Sequence, residues 1–283
     1  MIGHRVPDPA RVYNAIVGGG DNGNVDGTAA TWVNASAPDF TAMLRENRAF
    51  HRRAVRFMAE QGVTQFVDLG AGFPVPPTTH EIAHSIDPRA VVVYVDNDPE
   101  VGARLEELPA AGGPTAFIRD DVTRPGAVLD DPAVRSLLDF DRPIGLLLVA
   151  LLHFVTEEQD PTRLVAAFRS ALPEGSFLVI SHAAGDVAWD ARNSESVLER
   201  ALADLTLRTR RQVTEFFGDF ELVDPGVVTV AKWRPAESPD PEAPALGIHC
   251  GVARKPAPAS SLWPGQVRTI TGAPDTARAG GLR

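Results

Sequence analysis

Two short apolar runs, each followed by acidic residues, limit what this 283-residue chain can fold into more than any other feature. The first run leads into Asp68 and the turn Gly70-Ala71-Gly72, and the second, over 91–95, leads into Asp96. Continuous apolar and β-branched runs without polar alternation are typical of strands in a parallel sheet that is covered on both faces. Residues 78–86 have room for a crossover helix between the two strands. The sequence therefore predicts a βαβ unit with its acids at the carboxyl ends of the strands.

The turn and the second acid together predict a ligand that carries a ribose. Glycines at 70 and 72 let the backbone approach a ligand without an intervening Cβ. An acid after the second strand can accept hydrogen bonds from both ribose hydroxyls. The spacing from Gly72 to Asp96 is 96 − 72 = 24 residues, near the roughly 20 that this arrangement requires.

The residues after the turn decide between cofactors. A dinucleotide fingerprint has a third glycine at the position of Val75, but prolines flank it at Pro74, Pro76 and Pro77. Prolines lack the backbone N–H donors that a pyrophosphate needs, and the carboxylate of Asp68 would repel phosphates. A ribose-bearing, positively charged ligand without phosphate fits better, which predicts S-adenosylmethionine. An NAD-dependent oxidoreductase is the alternative if the turn tolerates a pyrophosphate.

The D-x-G-x-G pattern at 68–72 resembles the first motif of the class I methyltransferases, with Pro74 departing from the usual third glycine. R-V-Y-N with the following G-G and D-N at 11–22, and N-R-A-F-x-R-R-A-V-R-F at 47–57, resemble S-adenosyl methyltransferases of the DUF574 type. The likeness extends over about 10–255. It implies a three-layer α/β, Rossmann-like sheet that is mostly parallel with a terminal antiparallel strand, and methyl transfer to an acceptor that the resemblance does not identify.

Three segments are predicted. Residues 1–62 form a helical cap or lid, since 38–62 reads as one amphipathic helix that ends at a capping glycine. Residues 63–255 form the Rossmann-like core, with strands at 115–119, 143–154, 177–181 and 246–254 and a strand entering a turn within 221–228. Its helices include 132–138, 161–172, 191–205 and 210–217. Residues 256–283 have little apolar content, and we expect them to be disordered.

Several side chains are candidates for binding the cofactor or for catalysis. The resemblance implies that Asp121 accepts from the adenine amino group and that the N–H of Val122 serves a ring nitrogen, with Asp120 as the alternative acid. The alternative is an acid that only caps a helix or stabilises a turn. Arg48 could reach the carboxylate of the cofactor, or it belongs to a solvated charged face. The predicted lid contributes Tyr13, Asn14, Asp21 and Asn22. The full set of predicted cofactor contacts is Asp68, Gly70, Ala71, Gly72, Asp96, Asn97, Asp121, Val122, Tyr13, Asn14 and Arg48.

His153, just past the most apolar run, is the candidate general base if the acceptor must lose a proton. His182, predicted to follow the strand 177–181, is a weaker candidate. The alternative for each is a histidine that hydrogen-bonds within the wall of the site. The third functional class is a regulator that binds the cofactor without catalysis. It stays open because the sequence identifies motifs for the cofactor but none for the acceptor.

Composition limits the classes of partner that this protein is expected to bind. The net charge of −10 disfavours nucleic acid, whose phosphates require a basic surface, so a small-molecule acceptor is expected. The lone Cys250 and the scattered histidines offer neither a disulfide framework nor a metal site. No apolar run is long enough to span a membrane, and the amino terminus lacks the apolar region of a signal peptide. We therefore expect a cytoplasmic protein.

Overall fold

The fold is given by a computed structural model. It describes residues 9–18, 28, 31, 35, 38–107, 113–187, 205–235 and 247–257. The predicted lid residues Asp21 and Asn22, most of the predicted helix 191–205 and the predicted tail after residue 257 lie outside the described residues.

A mixed β-sheet forms the centre of the described protein. Its eight strands lie in the order β3-β2-β1-β4-β5-β8-β6, with β7 also paired to β8. The strands are β1 (Gln65–Leu69), β2 (Val91–Asp96), β3 (Thr115–Arg119), β4 (Gly145–Val149), β5 (Phe177–Ala183), β6 (Glu221–Leu222), β7 (Val228–Thr229) and β8 (Ile248–Arg254). Strands β1 to β5 pair in parallel, and β8 runs antiparallel to β5. This topology confirms the predicted mostly parallel sheet with a terminal antiparallel strand.

Burial explains why the central strands are mostly apolar. Every residue of β1 and β5 is buried, as are four of the five in β4. A strand covered on both faces gains by placing apolar side chains in both directions. The chain moves outward from β1 through β2 to β3 and then returns to β4 on the other side of β1. This reversal leaves a crevice at the carboxyl ends of β1 and β4, where open α/β sheets bind ligands.

Helices cover the two faces of the sheet. They are α1 (Pro9–Val17), α2 (Pro38–Glu60), α3 (Thr79–His84), α4 (Pro99–Glu106), α5 (Pro125–Asp130), α6 (Pro132–Leu137), α7 (Pro161–Ala171) and α8 (Arg210–Glu215). On one face, Phe50 and Met58 of α2 belong to a core that includes Trp233; on the other, Phe168 of α7 and Val213 of α8 belong to a second core. Two helical layers around one sheet confirm the three-layer architecture.

Four details differ from the sequence predictions. The strand predicted over 143–154 ends at Val149, and residues 152–154 form a one-turn 3₁₀ helix. Strand β5 continues to Ala183, so the prediction that His182 follows the strand was wrong. The segment 221–228, predicted to contain one strand entering a turn, holds the strand β6 and the first residue of a second short strand, β7, with Pro225 and Gly226, which has a φ of +80°, between them. Helix α5 was not predicted; its first residue is Pro125, whose fixed φ and missing N–H suit the start of a helix.

Candidate active site

The carboxyl ends of β1 and β2 are joined through the carboxylate of Asp96. Its Oδ2 accepts from the N–H of Gly72 at 2.9 Å, and its Oδ1 accepts from the N–H of Asp98 at 3.0 Å. Burial raises the pKa of Asp96, and the backbone N–H donors act in the opposite direction. Each carboxylate oxygen has a second lone pair, so both can accept from a ligand hydroxyl without losing the turn.

The N–H groups of the glycine turn are already used. Gly70 and Ala71 donate to the carbonyl of Val95 at 2.8 and 3.1 Å, and Gly72 donates to Asp96. The two glycines have φ values of +64° and +62°, which only glycine adopts readily. A Cβ added to Gly72 would have no atom within 4 Å, so this end of the turn faces open space. A pyrophosphate would find none of these three donors available, whereas a ligand without phosphates does not need them.

Two arginines of α2 hold the proline loop that follows the turn. Arg48 Nη2 donates to the carbonyls of Val75 and of Pro77, the latter at 3.1 Å, and Arg52 Nη2 donates to the carbonyl of Pro76 at 3.0 Å. Prolines cannot donate backbone hydrogen bonds, but their carbonyls accept strongly. The guanidinium of Arg48 thus contacts the loop beside the turn. Its contact with the carboxylate of the cofactor stays a prediction.

The acids after β3 have separate partners. Asp121 Oδ1 accepts from the N–H and the hydroxyl of Thr123 at 2.9 and 2.8 Å, and Asp120 pairs with Arg124 at 2.5 Å. Asp121 therefore has the turn role that the sequence allowed, and one of its oxygens is not used by that turn. The side chain of Val122 is buried in the core below. These two residues lie at the same edge of the sheet as Asp96, while the side chain of Asn97 is exposed beside it.

Helix α1 lies beside the glycine turn. Arg11 pairs with Glu100 at 2.9 Å, just after β2, and its guanidinium lies 5.7 Å from the ring centroid of Phe73. The hydroxyl of Tyr13 donates to the carbonyl of Leu44 at 3.4 Å, so this side chain contacts α2. Asn14 is buried. Helix α1, the described part of the predicted lid, is thus next to the site, while direct contacts of Tyr13 and Asn14 with a cofactor stay predictions.

His153 lies in a one-turn 3₁₀ helix after β4 and is buried. Its Nδ1 accepts from the N–H of Ala183 at 3.4 Å. Burial lowers the pKa of His153 to about 3, assisted by nearby His182 and Arg208. The ring is therefore neutral at pH 7 but weakly basic. His182, inside β5, has both ring nitrogens within 2.8 Å of partners, the carbonyl of Ala183 and Arg208 Nη1.

Arg208 is the residue of this region that the sequence did not single out. It is 2% exposed and ties the segment after β4 to β5. Nη1 donates to the carbonyl of Leu152 at 2.8 Å, and Nη2 donates to the carbonyl of Val155 at 3.0 Å and to Glu157 at 2.7 Å. Its position within a run rich in Arg and Thr at 206–211 gives no indication of burial.

A contact between His249 and Asp186, which was also not predicted, lies nearby at the same edge of the sheet. His249, near the start of β8, is 2.5 Å from Asp186, which follows β5. Asp186 also accepts from the N–H of Arg210 at 2.9 Å. Among the described residues no group of three His, Cys, Asp or Glu side chains is placed to hold a metal ion. None of the helices in the described ranges is long and apolar enough to cross a bilayer.

Comparison with known proteins assigns the family. A family profile described as S-adenosyl methyltransferase matches residues 1–256. A protein of Thermobifida fusca YX with a provisional methyltransferase assignment is 39% identical, with 89% of this chain and 96% of that one covered and a TM-score of 0.80. A DUF574 family protein of Streptomyces avermitilis MA-4680 is 36% identical, with 88% and 98% covered and a TM-score of 0.81. A search of curated proteins finds no significant match. The chain therefore belongs to the S-adenosyl methyltransferase family, with S-adenosylmethionine as its cofactor.

Proposed function

We propose that this methyltransferase holds the ribose of S-adenosylmethionine on Asp96 and the adenine beside Asp121 and Val122, and methylates a small molecule. The remaining part of the cofactor would lie over the turn at 70–72. The observation that carries the proposal is that Asp96, the predicted ribose ligand, also holds the glycine turn. The same carboxylate that would bind the ribose also fixes Gly72 through a hydrogen bond of 2.9 Å, so the ribose acceptor and the turn are built as one unit.

When bound, S-adenosylmethionine supplies a methyl group on a positively charged sulfur, which a nucleophile can displace in line. Such a reaction depends mainly on alignment and on exclusion of water. The glycine turn and Asp96 supply the alignment, and α1, anchored by Arg11 to Glu100 at 2.9 Å, would cover the site. These contacts need no metal.

The role of His153 as general base stays a prediction, and the environment of its ring does not favour that role. A base whose pKa is about 3 removes a proton only slowly from an alcohol, because efficient bases have a pKa near the working pH. The environment of His153 therefore favours acceptors that are nucleophilic without losing a proton beforehand, such as a neutral amine or a heterocyclic nitrogen.

A small acceptor fits the charge of the chain. A net charge of −10 opposes the approach of a polyanion such as nucleic acid. The buried, unpaired thiol of Cys250 is compatible with the cytoplasmic location expected from the sequence. Neither the acceptor nor the compartment is identified by the family.

Calorimetry with S-adenosylhomocysteine and NAD in parallel tests the proposal. We expect S-adenosylhomocysteine to bind and NAD not to, because the N–H donors of the turn are occupied. The Asp96→Ala substitution should weaken binding of S-adenosylhomocysteine by about 1–3 kcal/mol, the range for hydrogen bonds to a charged group. Asp87→Ala, which removes an acid at the opposite end of β2, is the matched control and should bind normally. Tight NAD binding, or undiminished affinity of Asp96→Ala, would refute the assignment.

A further inference from the structure

A buried line of hydrogen bonds connects helix α2 to the acid that precedes the glycine turn. Arg48 Nη1 lies 3.2 Å from His51 Nδ1, and His51 Nε2 lies 2.9 Å from the hydroxyl of Thr79. The hydroxyl of Thr79 in turn donates to Asp68 Oδ2 at 2.6 Å. His51, Thr79 and Asp68 are 2%, 1% and 6% exposed, so water does not compete for these contacts.

The chemistry of Arg48 and Asp68, at the two ends of this line, determines which group donates each hydrogen bond. An ionised carboxylate only accepts, so Thr79 uses its single hydroxyl proton on Asp68. Its oxygen then accepts from His51 Nε2–H, which leaves a lone pair on His51 Nδ1. Arg48 only donates and fills that lone pair. His51 is therefore neutral, and burial and the charge of Arg48 both lower its pKa.

The same guanidinium also shapes the loop after the turn. While Nη1 orients His51, Nη2 donates to the carbonyls of Val75 and Pro77. The loop begins at Val75, three residues after Gly72, and leads to Thr79, the first residue of α3. Both ends of the segment that includes the proline loop are thereby fixed to α2, one through Arg48 and the other through Thr79.

We propose that Arg48, His51 and Thr79 are positioning residues that hold this segment in the shape that receives the methionine end of the cofactor. The inference rests on the proposed function. Asp96 ends β2 and Asp121 follows β3, so a ligand anchored on them through its nucleoside extends in the other direction, over β1. Asp68 and the proline loop belong to that side. None of the three side chains needs to touch the cofactor to act in this way.

A comparison of two ligands distinguishes a positioning role of these residues from a general effect on protein stability. Calorimetry at pH 7.5 would measure S-adenosylhomocysteine and 5′-methylthioadenosine, which has the same nucleoside but no amino acid end. We expect Arg48→Met, His51→Leu and Thr79→Val to lose affinity for S-adenosylhomocysteine by about tenfold or more, the scale of one lost charge-assisted hydrogen bond. Their affinity for 5′-methylthioadenosine should change by less than about threefold, roughly 0.6 kcal/mol.

Conservative variants and a control on the same helix complete the design. Thr79→Ser keeps the hydroxyl, and His51→Gln keeps a donor at the Nε2 position and an acceptor for Arg48, so both should bind S-adenosylhomocysteine nearly as wild type does. Arg56→Met removes an exposed arginine of α2 and should have no effect. Thermal unfolding of each variant confirms that the protein measured is folded.

The possible failures are distinguishable. If wild type does not bind S-adenosylhomocysteine, the proposed function itself is wrong. If a folded Arg48→Met protein binds both ligands as wild type does, or loses affinity for both equally, the three residues do not position a methionine site. Equal losses in His51→Gln and His51→Leu would also overturn the inference, since the hydrogen bonds would then be irrelevant.

Discussion

Replacement of Arg208 by methionine tests how the segment that carries His153 is held. The guanidinium is 2% exposed and donates to Leu152, Val155, His182 and Glu157. Glu157 has a side chain that is 67% exposed, so water replaces Arg208 there at little cost. The carbonyl of Leu152 keeps a bond from the N–H of Val155 at 3.2 Å.

Two buried acceptors, the carbonyl of Val155 and Nε2 of His182, would lose their donor. Each costs about 1–3 kcal/mol, and the methionine side chain recovers part of the packing. We therefore expect the free energy of unfolding to fall by about 2–4 kcal/mol. For a chain of this size the midpoint of thermal unfolding should fall by roughly 3–7 °C.

Urea unfolding followed by circular dichroism measures the loss. Arg211→Met is the matched control, because Arg211 pairs with Glu215 on the surface and its side chain is 89% exposed; such pairs contribute about 0–1 kcal/mol. Arg208 also lowers the pKa of both His153 and His182, so an NMR titration of Arg208→Met should show both pKa values raised. A loss no larger than that of Arg211→Met, with unchanged histidine pKa values, would refute this account.

Three further outcomes are expected. The pKa of His182 is lowered from 6.5 to about 4, so its contribution to stability, up to about 3 kcal/mol, is complete above pH 6.5 and is lost as the pH falls toward 4; urea midpoints that do not change between pH 7.5 and 4.5 would contradict this. If residues 13–24 form a lid, amides within residues 11–27 should exchange more slowly with S-adenosylhomocysteine bound, and unchanged exchange at saturation would make them ordinary surface. Gly70→Ala should lower stability by about 1–2 kcal/mol, the cost of a positive φ for an L-residue, and by more than Gly72→Ala, since the added Cβ would also lie 2.5 Å from Leu151 Cδ1; equal unfolding free energies for the two variants would show that this contact is harmless.

Much of the fold was predictable from short stretches of sequence. Strand β3 and helix α2 occur where the pattern placed them, because alternation, apolar spacing and capping residues act within one element. The placement of Gly72 and Asp96 at one edge of the sheet was also predictable. The spacing of a βαβ unit fixes where its two strands end, and parallel strands end at the same edge of the sheet.

Other contacts could not be inferred in this way. The partners of Arg48 lie 27 and 29 residues away along the chain, and nothing near Arg48 in the sequence distinguishes it from the exposed Arg56 on the same helix. Which face of α2 meets the proline loop depends on how the helix packs on the sheet. The role of Arg48 in the loop therefore became visible only in the assembled fold.

The sequence alone predicted the first βαβ unit and a ribose-bearing ligand without phosphates, because these follow from local periodicity and from the chemistry of a turn, and the resemblance of its motifs implied the class of fold. Only the tertiary structure decided what each buried polar side chain contacts. Arg208 lies 26 residues after His182 in the sequence but 2.8 Å from it in space, and Asp186 meets His249 across 63 residues. A buried charge is tolerated only where partners from several elements converge on it, and that convergence is set by the packing of the whole sheet.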